Sequence, residues 1–279
     1  MTSASAACRR SSKASWPEVG PTCASIGPMP SSGTGADAAR AKEAVNRHWN
    51  DEACGERYGD EQARLRYELE PEILPFADFS GANGKRVLEI GVGMGADYVR
   101  WLRAGASATG MDLTERAVSL AQERASAESL DADLRVADAE SLPFEDDEFD
   151  LVYSWGVLHH TPDTPRAFRE AQRVLKQGGR LKVMVYHRHS WVALAAWARF
   201  CLLRGKPHQG LRQAVSHVES PGTQAFTAAE ARGLVDGLVD VSVRTSLTYW
   251  DRRVAPGISR VFGDRFGWFL LIEGTKPTS

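Results

Sequence analysis

Between Arg86 and Tyr186 the chain alternates short runs of β-forming residues with longer stretches whose apolar positions recur every three or four residues. The short runs predict strands at 86–90 (RVLEI), 107–111 (SATGM), 133–136 (DLRV), 149–153 (FDLVY) and 180–186 (RLKVMVY). The periodic stretches predict helices at about 95–104, 114–127 and 163–176. Strands joined through crossover helices lie parallel, so this is the pattern of βαβ units. Two further strand-like runs, 239–248 and 266–274, are separated by a loop carrying Pro256 and Gly257 with no crossover helix, which predicts that they pair antiparallel to each other. The expectation is an α/β fold: a seven-stranded, mostly parallel sheet closed by a terminal antiparallel hairpin.

The flanks carry different patterns. Residues 1–38 are rich in Ser, Ala, Gly and Pro without an apolar period and read as a disordered extension. From Ala39, "ARAKEAVNRHWN" and "DEQARLRYELEPEILPFADF" show helical spacing, punctuated by Pro71 and Pro75, and predict a helical cover over 39–82. The core then spans 83–189, an insertion 190–236, and the terminal strands 237–279. The insertion opens with "SWVALAAWARFCLL", apolar nearly all round with Arg199 its only charge, so it is expected to act as a lid packed on the sheet, with contact to a membrane or to a partner subunit as the alternatives.

Composition narrows the choice of partner. A chain of 279 residues, 43% hydrophobic and 25% charged, holds enough apolar surface for one good-sized core. A net charge of -2 argues against a general nucleic-acid binder, which needs a surplus of Lys and Arg to neutralise phosphates, so the partner expected is a small molecule. Cys8, Cys23, Cys54 and Cys201 show neither Cys-x-x-Cys spacing nor a nearby His at ligand distance, so no zinc or other metal site and no disulfide framework is expected. The longest apolar stretch, Trp191 to Leu203, is too short to span a bilayer, and the N-terminus lacks the leucine-rich segment of a signal peptide. The expectation is a cytoplasmic protein without stable membrane insertion; the sequence is silent on its oligomeric state.

The chemistry gathers at "VLEIGVGMGAD", where Gly91, Gly93 and Gly95 occupy alternate positions between the first strand and its helix. Such a turn aims backbone N–H groups and the positive end of a helix dipole at a ligand. Two cofactors meet it in this way. As a dinucleotide site, Gly91-x-Gly93-x-x-Ala96 satisfies the glycine fingerprint and Asp112, about 20 residues on, takes a ribose hydroxyl. Three features favour S-adenosylmethionine instead. Glu89, at the end of the first strand, suits a cationic aminoacyl group and repels a pyrophosphate. Asp138, at the tip of the third strand, is placed to accept from an adenine amine. A terminal hairpin is not needed by a six-stranded parallel dinucleotide sheet.

With "VLEIGVGMGAD", "GMDLT", "VADAESLPFEDDEFDLVYSWGVLHHTPD" and "VLKQGGRLKVMV" side by side, the chain resembles the class I S-adenosylmethionine-dependent methyltransferases over residues 86–186, and is similar to the ubiquinone/menaquinone-biosynthesis type and related small-molecule methyltransferases. The resemblance implies their Rossmann-like fold with a helical lid, and S-adenosylmethionine as cofactor. It implies that Glu89, Gly91, Gly93 and Gly95 line the methionine side, with Gly95 letting the helix start pack against the ligand. Asp112 then takes the ribose hydroxyls, Asp138 the adenine amine, Leu113 and Ala139 the two faces of the adenine ring, and Trp155 a place beside the cofactor. Tyr58 and Tyr67 are the candidates for an aromatic closing over it. Plainer roles compete: Asp112 and Asp138 as helix caps, Trp155 as a core aromatic.

Methyl transfer is an in-line displacement, so positioning dominates and a base is required only where the acceptor must lose a proton. The candidates are His159 and His160, directly after the fourth strand, and Tyr186 at the end of the fifth, with His187, His217 and Glu219 behind them and His189 read as an exposed loop residue. The expected function is methylation of a small, largely apolar organic acceptor, quinone-like or a secondary metabolite, at oxygen or carbon. N-methylation or peptide methylation is the alternative. An NAD(P)-dependent oxidoreductase and a non-catalytic cofactor-binding scaffold are the rivals from other classes. "SWGVLHH" stands where an Asn/Asp-Pro-Pro-Tyr/Phe motif would mark adenine-base or protein-amide methylation.

Overall fold

The computed structural model describes residues 35–278 apart from 52, 54, 55, 57–60 and 221. Tyr58, three of the cysteines and residues 1–34 of the expected N-terminal extension therefore lie outside the described residues. The first helix, α1 (Gly35–Asp51), starts four residues before the expected boundary, and α2 (Gln62–Leu69) and α3 (Ile73–Ala77) follow.

The core then runs β1 (Arg86–Ile90), α4 (Ala96–Arg103), β2 (Ser107–Asp112), α5 (Glu115–Ala127), β3 (Asp133–Val136), β4 (Phe149–Trp155), α6 (Thr164–Arg173) and β5 (Leu175–His187). Beyond it come α7 (Trp191–Phe200), α8 (Leu211–Val215), β6 (Ala225–Phe226), α9 (Ala228–Gly233), β7 (Val239–Ser246), α10 (Tyr249–Val254), α11 (Ile258–Phe262) and β8 (Phe269–Thr275). All seven expected strands are present, joined by an eighth, the two-residue β6, which pairs with the end of β5. The link between β7 and β8 is not a plain loop. It folds into α10 and α11 on either side of Pro256 and Gly257.

Strand order is β3-β2-β1-β4-β5-β8-β7, with β1 to β5 parallel and β8 antiparallel to both β5 and β7. The chain lays β2 and β3 outward from β1, then returns to lay β4 on its other side. At that reversal the connections leaving β1 and β4 diverge to opposite faces, opening a crevice at their C-terminal ends.

Side-chain alternation splits the core between the two faces. Leu88 and Ile90 face α6 and α9 with Phe168, Val183 and Val235, whereas Val87 faces α3 and α4 with Tyr98, Trp101 and Tyr153. Glu89 shares the Val87 face and is 3% exposed. The cover is tied beneath the sheet by Lys182, whose buried Nζ donates to the carbonyls of Phe76 (2.7 Å) and Ala77 (3.1 Å) at the end of α3.

Candidate active site

The turn leaving β1 has a separate reason for each glycine. A Cβ at Gly91 (φ 85°) would sit 2.2 Å from Val157 Cγ2. At Gly93 it would meet nothing within 4 Å, because that position opens onto the crevice. At Gly95 it would sit 2.9 Å from the Cα of Ala121 on α5. The expected role of Gly95 is thereby corrected: the missing side chain admits a neighbouring helix rather than a ligand.

Asp112, at the tip of β2, binds this turn. Its Oδ2 accepts from Gly93 N (3.1 Å) and its Oδ1 from the backbone N (3.1 Å) and hydroxyl (3.0 Å) of Thr114. The cap of α5 is Thr114, which accepts from Ala117 N at 3.3 Å, so Asp112 is not needed as that helix's cap. No helix follows Asp138 before β4, and helix capping is ruled out for it as well. Burial raises the Asp112 carboxyl above its ordinary range, against the Gly93 and Thr114 donors that lower it. Leu113 and Ala139 stand with Asp112 in the crevice wall.

A buried ion pair closes the adjoining end. Arg66 of α2 donates through Nε (3.2 Å) and Nη2 (2.7 Å) to the two oxygens of Asp97, while the hydroxyls of Tyr67 (2.7 Å) and Tyr153 (3.0 Å) donate to the same carboxylate. Burial alone raises Asp97, but Arg66 and the two tyrosines outweigh it and hold the carboxyl below its ordinary value. Glu89 next to it is driven well above the carboxylate range by burial and by the Asp97 charge, and its Oε2 is buried without a partner. Arg66 borders the crevice; Tyr67 does not, its hydroxyl being committed to Asp97. Among the described residues of the cover, the aromatic that borders it is Trp49 of α1.

That helix forms the roof. Lys42 donates to Asp138 Oδ2 and Glu140 Oε2 (2.6 Å), and Asn46 donates to the Leu113 carbonyl (3.0 Å). Lys42, Val45 and Trp49 recur at helical spacing, placing all three on the crevice side. Trp155 is buried at the end of β4, borders the crevice and donates Nε1 to Glu70 Oε2 at 2.9 Å, so it combines a core position with a place in the wall.

Of the histidine pair, His160 reaches the crevice and His159 does not. His159 is fully buried with both ring nitrogens unpartnered, its ring 4.3 Å from that of Tyr186. His160 Nδ1 lies 2.9 Å from Thr223 Oγ1 and 3.1 Å from Ser220 Oγ. Tyr186 stacks on Trp268 at 4.4 Å and hydrogen-bonds Glu219, whose carboxyl burial pushes up to about 8 against that bond. His187 is buried against the Gly267 carbonyl (3.0 Å), His217 stacks on Phe200, and His189 is exposed as expected.

Burial lowers His160 to about 4 from 6.5, so it is neutral at pH 7. An unfolded chain binds a proton there below about pH 6.5 and the folded chain does not. Stability conferred by this site is therefore present above pH 6.5 and falls as pH drops toward 4, by on the order of 3 kcal/mol. His160→Gln should flatten that part of the curve. Urea midpoints at pH 7.5 and 5 for both proteins check it, and parallel curves would refute it.

Residues 88–183 match the family model described as a methyltransferase domain. Over this stretch the chain is similar to methyltransferases. The chain is 42% identical over 103 residues to the 27-O-demethylrifamycin SV methyltransferase of Amycolatopsis mediterranei (strain S699), covering 35% of this chain and 37% of that protein. It is 41% identical over 107 residues to the ubiquinone/menaquinone biosynthesis C-methyltransferase of Dinoroseobacter shibae, covering 37% of this chain and 42% of that one. The chain thus matches less than half the length of these curated relatives. The crystal structure of geranyl diphosphate C-methyltransferase from Streptomyces coelicolor A3(2) is similar in fold, with a TM-score of 0.60 at 20% identity, covering 85% of this chain and 97% of that one. The methyltransferase domain match ends at Val183, before Tyr186 and the helices beyond β5.

Proposed function

We propose that this protein transfers a methyl group from S-adenosylmethionine to a small, largely apolar organic acceptor at oxygen or carbon. The observation that carries the reading is the convergence, at the reversal of strand order, of the Gly93 opening, the Asp112 carboxylate and Arg66, with Glu89 buried next to Asp97 and outside the crevice lining. These residues fit the cofactor. Arg66 would hold the aminoacyl carboxylate and Asp112 the ribose hydroxyls. Leu113 and Ala139 would flank the adenine, and Asp138 would take its amine, sharing its carboxylate with Lys42. Bound there, S-adenosylmethionine supplies an electrophilic methyl carbon.

We place the acceptor side past Trp155, toward the half-buried Tyr186, whose ring packs on the buried rings of Trp268 and Phe269, an aromatic wall suited to an apolar molecule and able to exclude water. Tyr186 presents a hydroxyl there, and Glu219 accepts its proton's hydrogen bond. We assign proton removal to this pair, with His160 a wall residue whose Nδ1 is engaged by two hydroxyls. Base assistance is worth about 100- to 10,000-fold where the acceptor must lose a proton. With a Glu219 carboxyl near 8, transfer to a hydroxyl acceptor should quicken from pH 7 to 9. Glu219→Gln should be at least tenfold slower with a flat profile. Calorimetric titration with S-adenosylmethionine and with NADP, followed by labelled-methyl transfer to an acceptor panel by the parent and Tyr186→Phe, tests the whole reading. Uptake of NADP instead would overturn it; undiminished transfer by Tyr186→Phe would overturn the base.

A further inference from the structure

One face outside the crevice combines exposed apolar side chains with unusual charge. It is built from α7, the single 3-10 turn Leu202–Arg204 after it, and α11. The rings of Trp191 and Phe262 lie 5.8 Å apart, which makes α7 and α11 one continuous surface. On these elements Leu203 and Val261 are each 81% exposed, with Leu194, Ile258 and Phe262 about half exposed. Around them residues 190–218 hold four basic residues and no acid. Residues 249–266 hold four more against two acids, of which Asp251 is buried in the cap of α10. The chain as a whole carries -2, so this face stands apart from the rest of the molecule. Arg204, Lys206, Arg260 and Arg265 are exposed and make no ion pair among the described residues.

We propose that this face seats the protein on an anionic lipid surface. Apolar side chains ringed by cations match the boundary of a bilayer, where aliphatic groups enter among the acyl chains and guanidinium and ammonium groups meet phosphates. A second copy of the chain is a poor occupant, because it would set one strongly positive face against another. No described helix is long and apolar enough to cross a membrane, so the contact is peripheral. Its location gives it a use. α7 starts at its Ser190 cap, four residues after Tyr186, and α11 leads into Trp268, which stacks on Tyr186. The lipid-facing surface therefore flanks the side proposed for the acceptor, and an amphiphilic molecule could pass from one to the other without crossing water.

The test is co-sedimentation of the full chain with vesicles of phosphatidylglycerol and, separately, of phosphatidylcholine. It needs no methyl transfer, so its outcome is independent of the catalytic reading. Binding to phosphatidylglycerol alone, weakened by salt and reduced at least tenfold in Leu203→Asp/Val261→Asp, is expected. Both positions are exposed, so the variant should keep the parent's circular dichroism and melting. Should it misfold, Arg204→Glu/Arg260→Glu reads the electrostatic half of the contact with the same expected loss. Equal binding to both lipids, no binding to either, or variants that bind like the parent would overturn the proposal. So would a concentration-dependent dimer, seen by analytical ultracentrifugation, that Leu203→Asp/Val261→Asp dissolves.

Discussion

Gly91→Ala is expected to unfold at a markedly lower temperature than the parent and to lose cofactor binding. The added Cβ lies 2.2 Å from one methyl of Val157 and 2.7 Å from the other, where nothing can give without moving the segment after β4. Overpacking of this kind costs roughly 1–3 kcal/mol, and holding a non-glycine residue at φ 85° adds on the order of 1–3 kcal/mol. At about 2–4 °C per kcal/mol for a domain of this size, the fall in Tm is of order 10 °C. Gly93→Ala makes the matched comparison. Its Cβ meets no protein atom within 4 Å, so stability should fall by about 1 kcal/mol while affinity for S-adenosylmethionine drops at least tenfold. Thermal melts and calorimetry on the two variants separate a turn that must be shaped from a turn that must stay open. If the two behave alike, the division of labour between these glycines is wrong.

Arg66→Leu is the second change with a large expected effect. It leaves Asp97, 1% exposed in its side chain, with two tyrosine hydroxyls and no countercharge. Removing one member of a buried pair costs about 3–5 kcal/mol because the other remains as an uncompensated charge. The sign of the pH dependence follows from the folded carboxyl being held below its ordinary value. The stabilisation is present above the unfolded value near 4 and disappears as pH falls through the folded one. The gap in urea midpoint between parent and variant should thus be wide at pH 7 and narrow toward pH 3. A variant that melts with the parent at pH 7 would show that solvent reaches Asp97. Because Arg66 also borders the crevice, affinity for S-adenosylmethionine should fall as well, whereas Tyr67→Phe should weaken stability with little effect on binding.

The core was legible because β1, β4 and the second half of β5 are buried on both faces and therefore read as apolar runs, while the helices between them keep a polar stripe. Their ends were less so: β5 begins at Leu175, five residues early, because pairing with Phe149 needs only backbone. α10 and α11 escaped notice since helices of six and five residues hardly complete a period. One signal was available, Thr248 and Asp251, which form a capping box at the start of α10. Trp49 was also within reach, four and seven residues from Val45 and Lys42 on one helical face. The pairing of Arg66 with Asp97 was not, because 31 residues separate the partners and no shared period links α2 to α4. Tyr186 and Glu219 lie in the same position, joined only through the packing of the segment after α8.

The place of β8 in the sheet has a consequence for how the protein is made. It is synthesised after both β5 and β7, yet it stands between them and pairs with both. Until Thr275 has left the ribosome, the nascent chain carries two bare edges, one of them on the very strand that bears Tyr186. Unpaired edges invite association with other chains, so this protein should lean on chaperones until β8 has been made and has paired.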